Sequence, residues 1–138
     1  MAKASVDVLK HVPLFAGLDD RELKEIARSM SERTFPADRP VVEEGQTGIG
    51  FFVIASGIAV VSVGGREVRT LQPGDHFGEI ALITDRPRTA TIVPETELRC
   101  YGITAWDFRG VVESNGSIAW KLLQTMAQRL ADAEQRAD

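Results

Sequence analysis

Glu79 and Arg88 are the residues in this chain best placed to act together on a ligand. The stretch Phe77-Gly78-Glu79-Ile80-Ala81-Leu82-Ile83-Thr84-Asp85-Arg86-Pro87-Arg88-Thr89-Ala90-Thr91 joins them. Gly78 lets the backbone come close to a bound group or adopt an unusual conformation. Glu79-Ile80-Ala81-Leu82 suits one short helical turn, whose first N–H groups lack intrahelical partners and attract an anion. Pro87 stiffens the approach to the next strand, where Arg88 is expected to point to one face. A guanidinium offers a forked donor set that matches two phosphate oxygens. An ionised Glu79 only accepts hydrogen bonds and suits sugar hydroxyls. One carboxylate, one arginine and a helical turn describe a receptor for a small sugar phosphate. The plain alternative is a surface strand arginine with Glu79 as its ion-pair partner, Arg86 solvated and Asp85 a turn residue.

Other chemistry is poorly supplied. His11 and His76 are isolated histidines outside any His-x-His pattern, so a metal centre of the kind that needs several His and a carboxylate is not expected. Cys100 is the one cysteine; it excludes a disulfide framework and reads as a buried strand thiol, with no basic cluster to activate it. No serine, histidine or carboxylate pair suits phosphodiester cleavage. Asn115-Gly116-Ser117 matches a glycosylation sequon but reads as a turn and a helix cap.

The elements that must position Glu79 and Arg88 fall into three zones. Residues 1–30 read as helical: Leu14, Leu18, Leu23, Ile26, Ala27 and Met30 recur at helical intervals, Asp19 or Asp20 is a plausible N-cap, and Pro13 sets off a shorter helix near Val6 to His11. Residues 31–103 carry short runs rich in β-branched and aromatic types, among them Val41-Val42, Phe51 to Ile54, Ile58 to Val63, Val68 to Leu71, Ala90 to Val93 and Leu98 to Ile103. Turn residues separate them, and Gly64-Gly65 looks like a tight hairpin turn. Several short strands spaced by turns suggest a sandwich or barrel. Residues 104–138 return to helix. Thr104 suits a cap for a helix with Trp106, Phe108, Val111 and Val112. Ser117 suits a cap for a last helix with an apolar stripe over Ile118, Ala119, Leu122, Leu123, Met126, Leu130 and Ala133.

The segment 77–91 resembles the phosphate-binding cassette of cyclic nucleotide-binding domains. That pattern runs Phe-Gly-Glu-hydrophobic-Ala, a short loop, then (Pro)-Arg-(Ala/Ser/Thr)-Ala. Phe77, Gly78, Glu79, Ile80, Ala81, Pro87, Arg88, Thr89 and Ala90 meet it. Val12-Pro13-Leu14-Phe15 with Leu18 resembles the family's helical lead-in. Glu44-Gly45, Gly57 and Pro73-Gly74-Asp75 fall at its turns. Gln46 replaces a common acidic residue, and Gly48-Ile49-Gly50 precedes Phe51-Phe52, where a tyrosine is common.

The resemblance implies an α+β, mainly β fold: a double-stranded β-helix, or jelly-roll-like β-roll, flanked by N- and C-terminal helices. It implies a single domain over 1–138 with the cassette at 77–91. It implies that Glu79 accepts the ribose 2′-hydroxyl. Arg88 pairs with the cyclic phosphate, helped by backbone N–H groups around Ile80 and Ala81. Thr89 lies beside the phosphate and, in some members, reaches a syn guanine, so cGMP stays open; cAMP is not excluded and ranks first. Gly78 and Ala90 complete the cyclic-nucleotide site. Thr125, Gln128, Arg129 and Leu130 are candidates for the purine lid. No cofactor is implied beyond the ligand, cAMP or cGMP.

Composition is consistent with that expectation. The chain has 138 residues, 43% hydrophobic and 26% charged, enough for one domain with a core. Lys plus Arg is 16 against 20 Asp plus Glu, a net charge of −4, which argues against a surface for neutralising many phosphates. No apolar run is long enough to span a bilayer, and Met1-Ala2-Lys3-Ala4 leads into no signal core. A cytoplasmic, non-enzymatic module is expected, with a high-GC bacterial style of composition. In related transcription regulators a DNA-binding domain follows the last helix; here the sequence stops at Asp138, so no nucleic-acid contact is expected, and the short apolar runs make no membrane contact expected. The expected partners are a cyclic nucleotide, a separate effector protein and a second copy, through Leu122, Met126 and Leu130. The alternative is a scaffold that uses the same helix and binds nothing in its pocket.

Overall fold

The computed structural model describes residues 6–47, 50–84 and 86–137. Expectations for Met1-Ala2-Lys3-Ala4, Gly48-Ile49 and Asp85 lie outside the described residues. Two antiparallel sheets make the roll. One has the order β1 (Ser31–Phe35), β7 (Leu98–Ile103), β2 (Phe51–Ser56), β5 (His76–Phe77); the other has β4 (Arg66–Leu71), β3 (Ala59–Val63), β6 (Thr91–Pro94). Helices α1 (Val6–Leu9) and α2 (Asp20–Arg28) precede the roll, and α3 (Ala105–Ser114) and α4 (Gly116–Ala137) follow it. The architecture is the expected β-roll with flanking helices.

Strand β2 shows why the run Phe51-Phe52-Val53-Ile54 is apolar throughout. Side chains alternate across a strand. Phe51 and Val53 pack outward against the helices, with Leu14, Phe15, Phe108, Ile118 and Leu122. Phe52 and Ile54 pack inward, with Val61, Leu71, Phe77, Ile92, Leu98 and Cys100. Both faces are covered, so all of these residues are buried. Phe15 meets Phe51 edge-on at 5.6 Å between ring centroids, and Phe52 stacks on Phe77 at 5.5 Å. Cys100 is fully buried in the inner core, and burial pushes its thiol up to about 12.

Several elements differ from the sequence expectation. The first helix ends at Leu9, and Pro13–Phe15 is a 3₁₀ turn, so Leu14 and Leu18 reach the core from outside any α-helix. Pro13 has no N–H to continue a ladder. Strand β1 is polar, Ser-Glu-Arg-Thr-Phe; its pairing with β7 makes it a strand. Val41-Val42 forms only an isolated bridge, Val42 with Ile92. Ser117 lies inside the first turn of α4, and the Asn115 carbonyl accepts from the amides of Ile118 and Ala119. Other expectations hold: Thr104 caps α3, accepting from the Asp107 amide at 3.1 Å, and Gly64 and Gly65 close the β3–β4 turn at positive φ.

Asp19, of the two candidates, caps α2. Its carboxylate accepts from the Glu22 amide while Glu22 accepts from the Asp19 amide, both at 2.9 Å. Lys121 of α4 adds a 2.7 Å hydrogen bond to Glu22 and lies 3.6 Å from Asp19, so the cap also pins α4 to α2. Burial alone would raise the Glu22 carboxyl. Hydrogen bonds from Lys121, the Asp19 amide and Ser117 outweigh it and hold the group at about 2. A depressed folded pKa stabilises above the unfolded value of 4.5, and the gain is lost as pH falls toward about 2. Glu22→Gln keeps the capping geometry and removes the charge. It is expected to lower stability by roughly 1–2 kcal/mol at neutral pH. In urea titrations the gap from wild type should shrink by about pH 3; a gap that stays constant with pH refutes the ion-pair account.

Candidate functional site

The Gly78 turn begins where β5 ends. Gly78 sits at φ +92°, and Glu79–Leu82 form a single 3₁₀ turn closed by the Ala81 amide on the Gly78 carbonyl at 3.1 Å. Ala81, an expected phosphate donor, thus spends its N–H inside the turn, while Glu79 and Ile80 at its head have no i−3 acceptor within it. Leu82 anchors the turn in the same core as Phe108, Ile118 and Leu122. Ile80 is exposed.

Arg88 is not on a strand, where the sequence suggests it, but in the irregular segment ahead of β6. Its backbone is nevertheless fixed: the Gly45 amide donates to the Arg88 carbonyl at 2.8 Å, and the Arg88 amide donates to the Gln46 carbonyl at 2.9 Å. Pro87 has no amide to take part, so the exchange begins at Arg88. The half-buried guanidinium reaches inward, and its Nη2 donates to the Gly50 carbonyl at 3.1 Å. Its Nε is buried without a partner. Burial pushes the guanidinium below its ordinary value, yet arginine stays charged at any physiological pH.

Gly78, Glu79, Ile80, Ala81, Arg88, Thr89 and Ala90 all line one cavity of about 780 Å³, within the range of small-molecule sites. Val61, Leu71 and Ile92 form its apolar floor, and Pro13 reaches it from the N-terminal helices. Glu79 does not pair with Arg88. Its Oε2 faces Nδ1 of His76 at 3.4 Å, and among the described residues Arg88 makes no ion pair. The surface-arginine alternative therefore does not describe this site. The two groups stand as separate acceptor and donor on one wall.

Among the cavity-lining residues that sequence reasoning missed are His76, Arg69 and Thr70. By type alone, an isolated histidine such as His76 invites comparison only with a metal ligand. The available signal was position, since the residue before Phe77 must face away from the inner core that Phe77 fills. Arg86, expected to be solvated, is exposed but also borders the cavity. Among the described residues no α4 side chain lines it: Thr125 lies against Gly17, and Gln128 bonds Asp132 at 3.0 Å. The proposed dimer seam also changes. Leu122 is buried in the domain's own core with Met126 packed on it, whereas Trp120, Leu123 and Leu130 are exposed.

The sequence model of the cyclic nucleotide-binding domain family matches residues 32–115, more than half the chain. The chain belongs to this family. A cGMP-dependent protein kinase of Toxoplasma gondii is 39% identical over 95 residues, covering 69% of this chain and 10% of the kinase. A cAMP-dependent protein kinase regulatory subunit of Yarrowia lipolytica is 37% identical over 93 residues, covering 66% of this chain and 25% of that subunit. The chain thus spans a quarter or less of these relatives. The crystal structure of the N-terminal domain of a transcriptional regulator from Streptomyces coelicolor A3(2) superposes with a TM-score of 0.84 at 28% identity, covering 96% of each chain. No described helix is long and apolar enough to cross a membrane.

Proposed function

We propose that this domain is a cytoplasmic cyclic-nucleotide sensor that binds cAMP ahead of cGMP and passes the event to a separate effector. Arg88, with the amides heading the Glu79 turn, takes the cyclic phosphate; Glu79 accepts the ribose 2′-hydroxyl; Thr89 stands at the phosphate edge. The observation that carries this reading is the inward Arg88 guanidinium, braced by Gly50 with its Nε unpartnered, in one cavity with Glu79. A buried phosphate needs a paired cation and hydrogen bonds, and this wall holds both. Relatives named for cGMP and for cAMP are both found, in keeping with a site open to either.

Relay follows from the packing. Leu82 links the Glu79 turn to α3 and α4 through the shared core. A ligand that draws the turn inward biases how these helices pack, by its differential affinity for the two arrangements. The exposed Trp120, Leu123 and Leu130 give α4 a face for the effector or a second copy. No residue set on the wall suits phosphodiester cleavage, so the proposed role is binding without turnover.

Thermal unfolding with cAMP, cGMP and 5′-AMP tests this. Cyclic nucleotide at about a hundred times its Kd should add roughly 2.7 kcal/mol of stability, with 5′-AMP giving far less, and cAMP should be recovered intact afterwards. No shift with millimolar cyclic nucleotide would favour the scaffold alternative.

A further inference from the structure

Two buried atoms face each other across the Gly78 turn without a hydrogen-bond partner: Nδ1 of His76 and Oε2 of Glu79, 3.4 Å apart. Their side chains are only 24% and 19% exposed. An ionised carboxylate oxygen so placed requires a donor, because a buried acceptor left unmade is unfavourable. Among the described residues, His76 is the ion-pairing group within 4 Å of it.

We infer that His76 is a positioning residue for the ligand's ribose: its Nδ1–H holds Oε2 of Glu79, leaving Oε1 aimed at the 2′-hydroxyl. The inference rests on the cyclic-nucleotide reading above. The imidazole is well fixed for this task. His76 pairs with Val53 across β5 and β2, and its ring lies 5.8 Å from that of Phe51 at 47°. Glu79, by contrast, heads a one-turn 3₁₀ segment, and among the described residues its side chain has no other anchor. A closing movement of a few tenths of an ångström turns the contact into a charge-assisted hydrogen bond. The opposite tautomer would set a nitrogen lone pair against a carboxylate oxygen. A fixed carboxylate meets the sugar in one geometry and loses less side-chain entropy on binding.

The test is calorimetry of cAMP and 2′-deoxy-cAMP on the whole chain, in wild type, His76→Phe and His76→Asn. Phenylalanine keeps the ring against Phe51 and lacks the donor. Asparagine places an amide N–H near the Nδ1 position. Expected results are a roughly tenfold loss of cAMP affinity in His76→Phe, a change of less than about twofold for 2′-deoxy-cAMP, and recovery to within about threefold of wild type in His76→Asn. An equal loss for both ligands, or no loss, overturns the inference. If His76→Phe does not fold, nitrogen NMR of the wild-type imidazole decides: protonated Nδ1 supports the inference, and the neutral Nε2–H tautomer overturns it. A wild type that binds neither nucleotide overturns the sensor reading and this inference with it. A wild type that binds cAMP while His76→Phe binds it equally well removes only the role of His76.

Discussion

Arg88→Ala is expected to weaken cyclic-nucleotide binding by roughly 2–5 kcal/mol, or some thirtyfold to several thousandfold, because a buried phosphate then loses its cation. The fold should hardly notice. The backbone exchange with Gly45 and Gln46 does not involve the side chain. The lost side-chain bond, to the Gly50 carbonyl, is offset by removal of a desolvated guanidinium whose Nε has no partner. A stability change within about 1 kcal/mol is expected. Arg88→Lys should fall between, since an ammonium keeps the charge but not the fork. Calorimetry with cAMP, alongside urea unfolding without it, separates the two effects. A variant that still binds within tenfold of wild type would show that the phosphate does not sit on Arg88.

Gly78→Ala is expected to damage both fold and binding. Gly78 adopts φ +92°, a conformation that L side chains rarely take. A β-carbon there would land on the Gly50 carbonyl oxygen and come within 3.3 Å of Arg88 Nη1. The obstruction is backbone, so no rotamer change relieves it. That carbonyl is also the acceptor for Arg88 Nη2, so any relaxation of the clash must disturb the guanidinium. A loss of roughly 2–4 kcal/mol is expected, read as a lower urea midpoint with unchanged slope. Affinity for cAMP should fall as well, in the population that remains folded. A Gly78→Ala protein with the wild-type midpoint would mean that the turn tolerates a different path past Gly50.

The two substitutions differ in kind, and the difference explains how the site is built. Arg88 presents a guanidinium to the cavity, through a side chain with a single hydrogen bond to the fold. Gly78 has no side chain to offer, but its lack of a β-carbon allows two chain segments, at residues 50 and 78, to touch. The His76–Glu79 contact lies across the same turn. Acceptor and cation are therefore positioned by one close backbone approach.

Much of this was readable from residue order alone. Cassette residues are contiguous in the chain, and their chemistry depends on type and short spacing: a glycine able to turn, an acceptor beside it, a guanidinium after a proline. The two-sided burial of β2 was foreshadowed by its unbroken apolar run, and the caps of α2 and α3 by Asp19 and Thr104. These are local properties, fixed by side-chain chemistry and backbone sterics over a few residues. What residue order did not reveal depended on partners distant in the chain. β1 is a strand because β7 lies beside it. Arg88 is braced by Gly50 and Gln46 from another segment. His76 faces Glu79 because Phe51 and Val53 of β2 hold its strand in place. Leu122 lies in the core, with Met126 partly buried against it, because α4 lies on the first 3₁₀ turn and on Gly17. Amino-acid order thus determined which groups the cassette brings to one cavity. Only tertiary structure decided which of them are braced, buried or left without a partner, because long-range contacts depend on how distant segments pack together, and no local pattern records that.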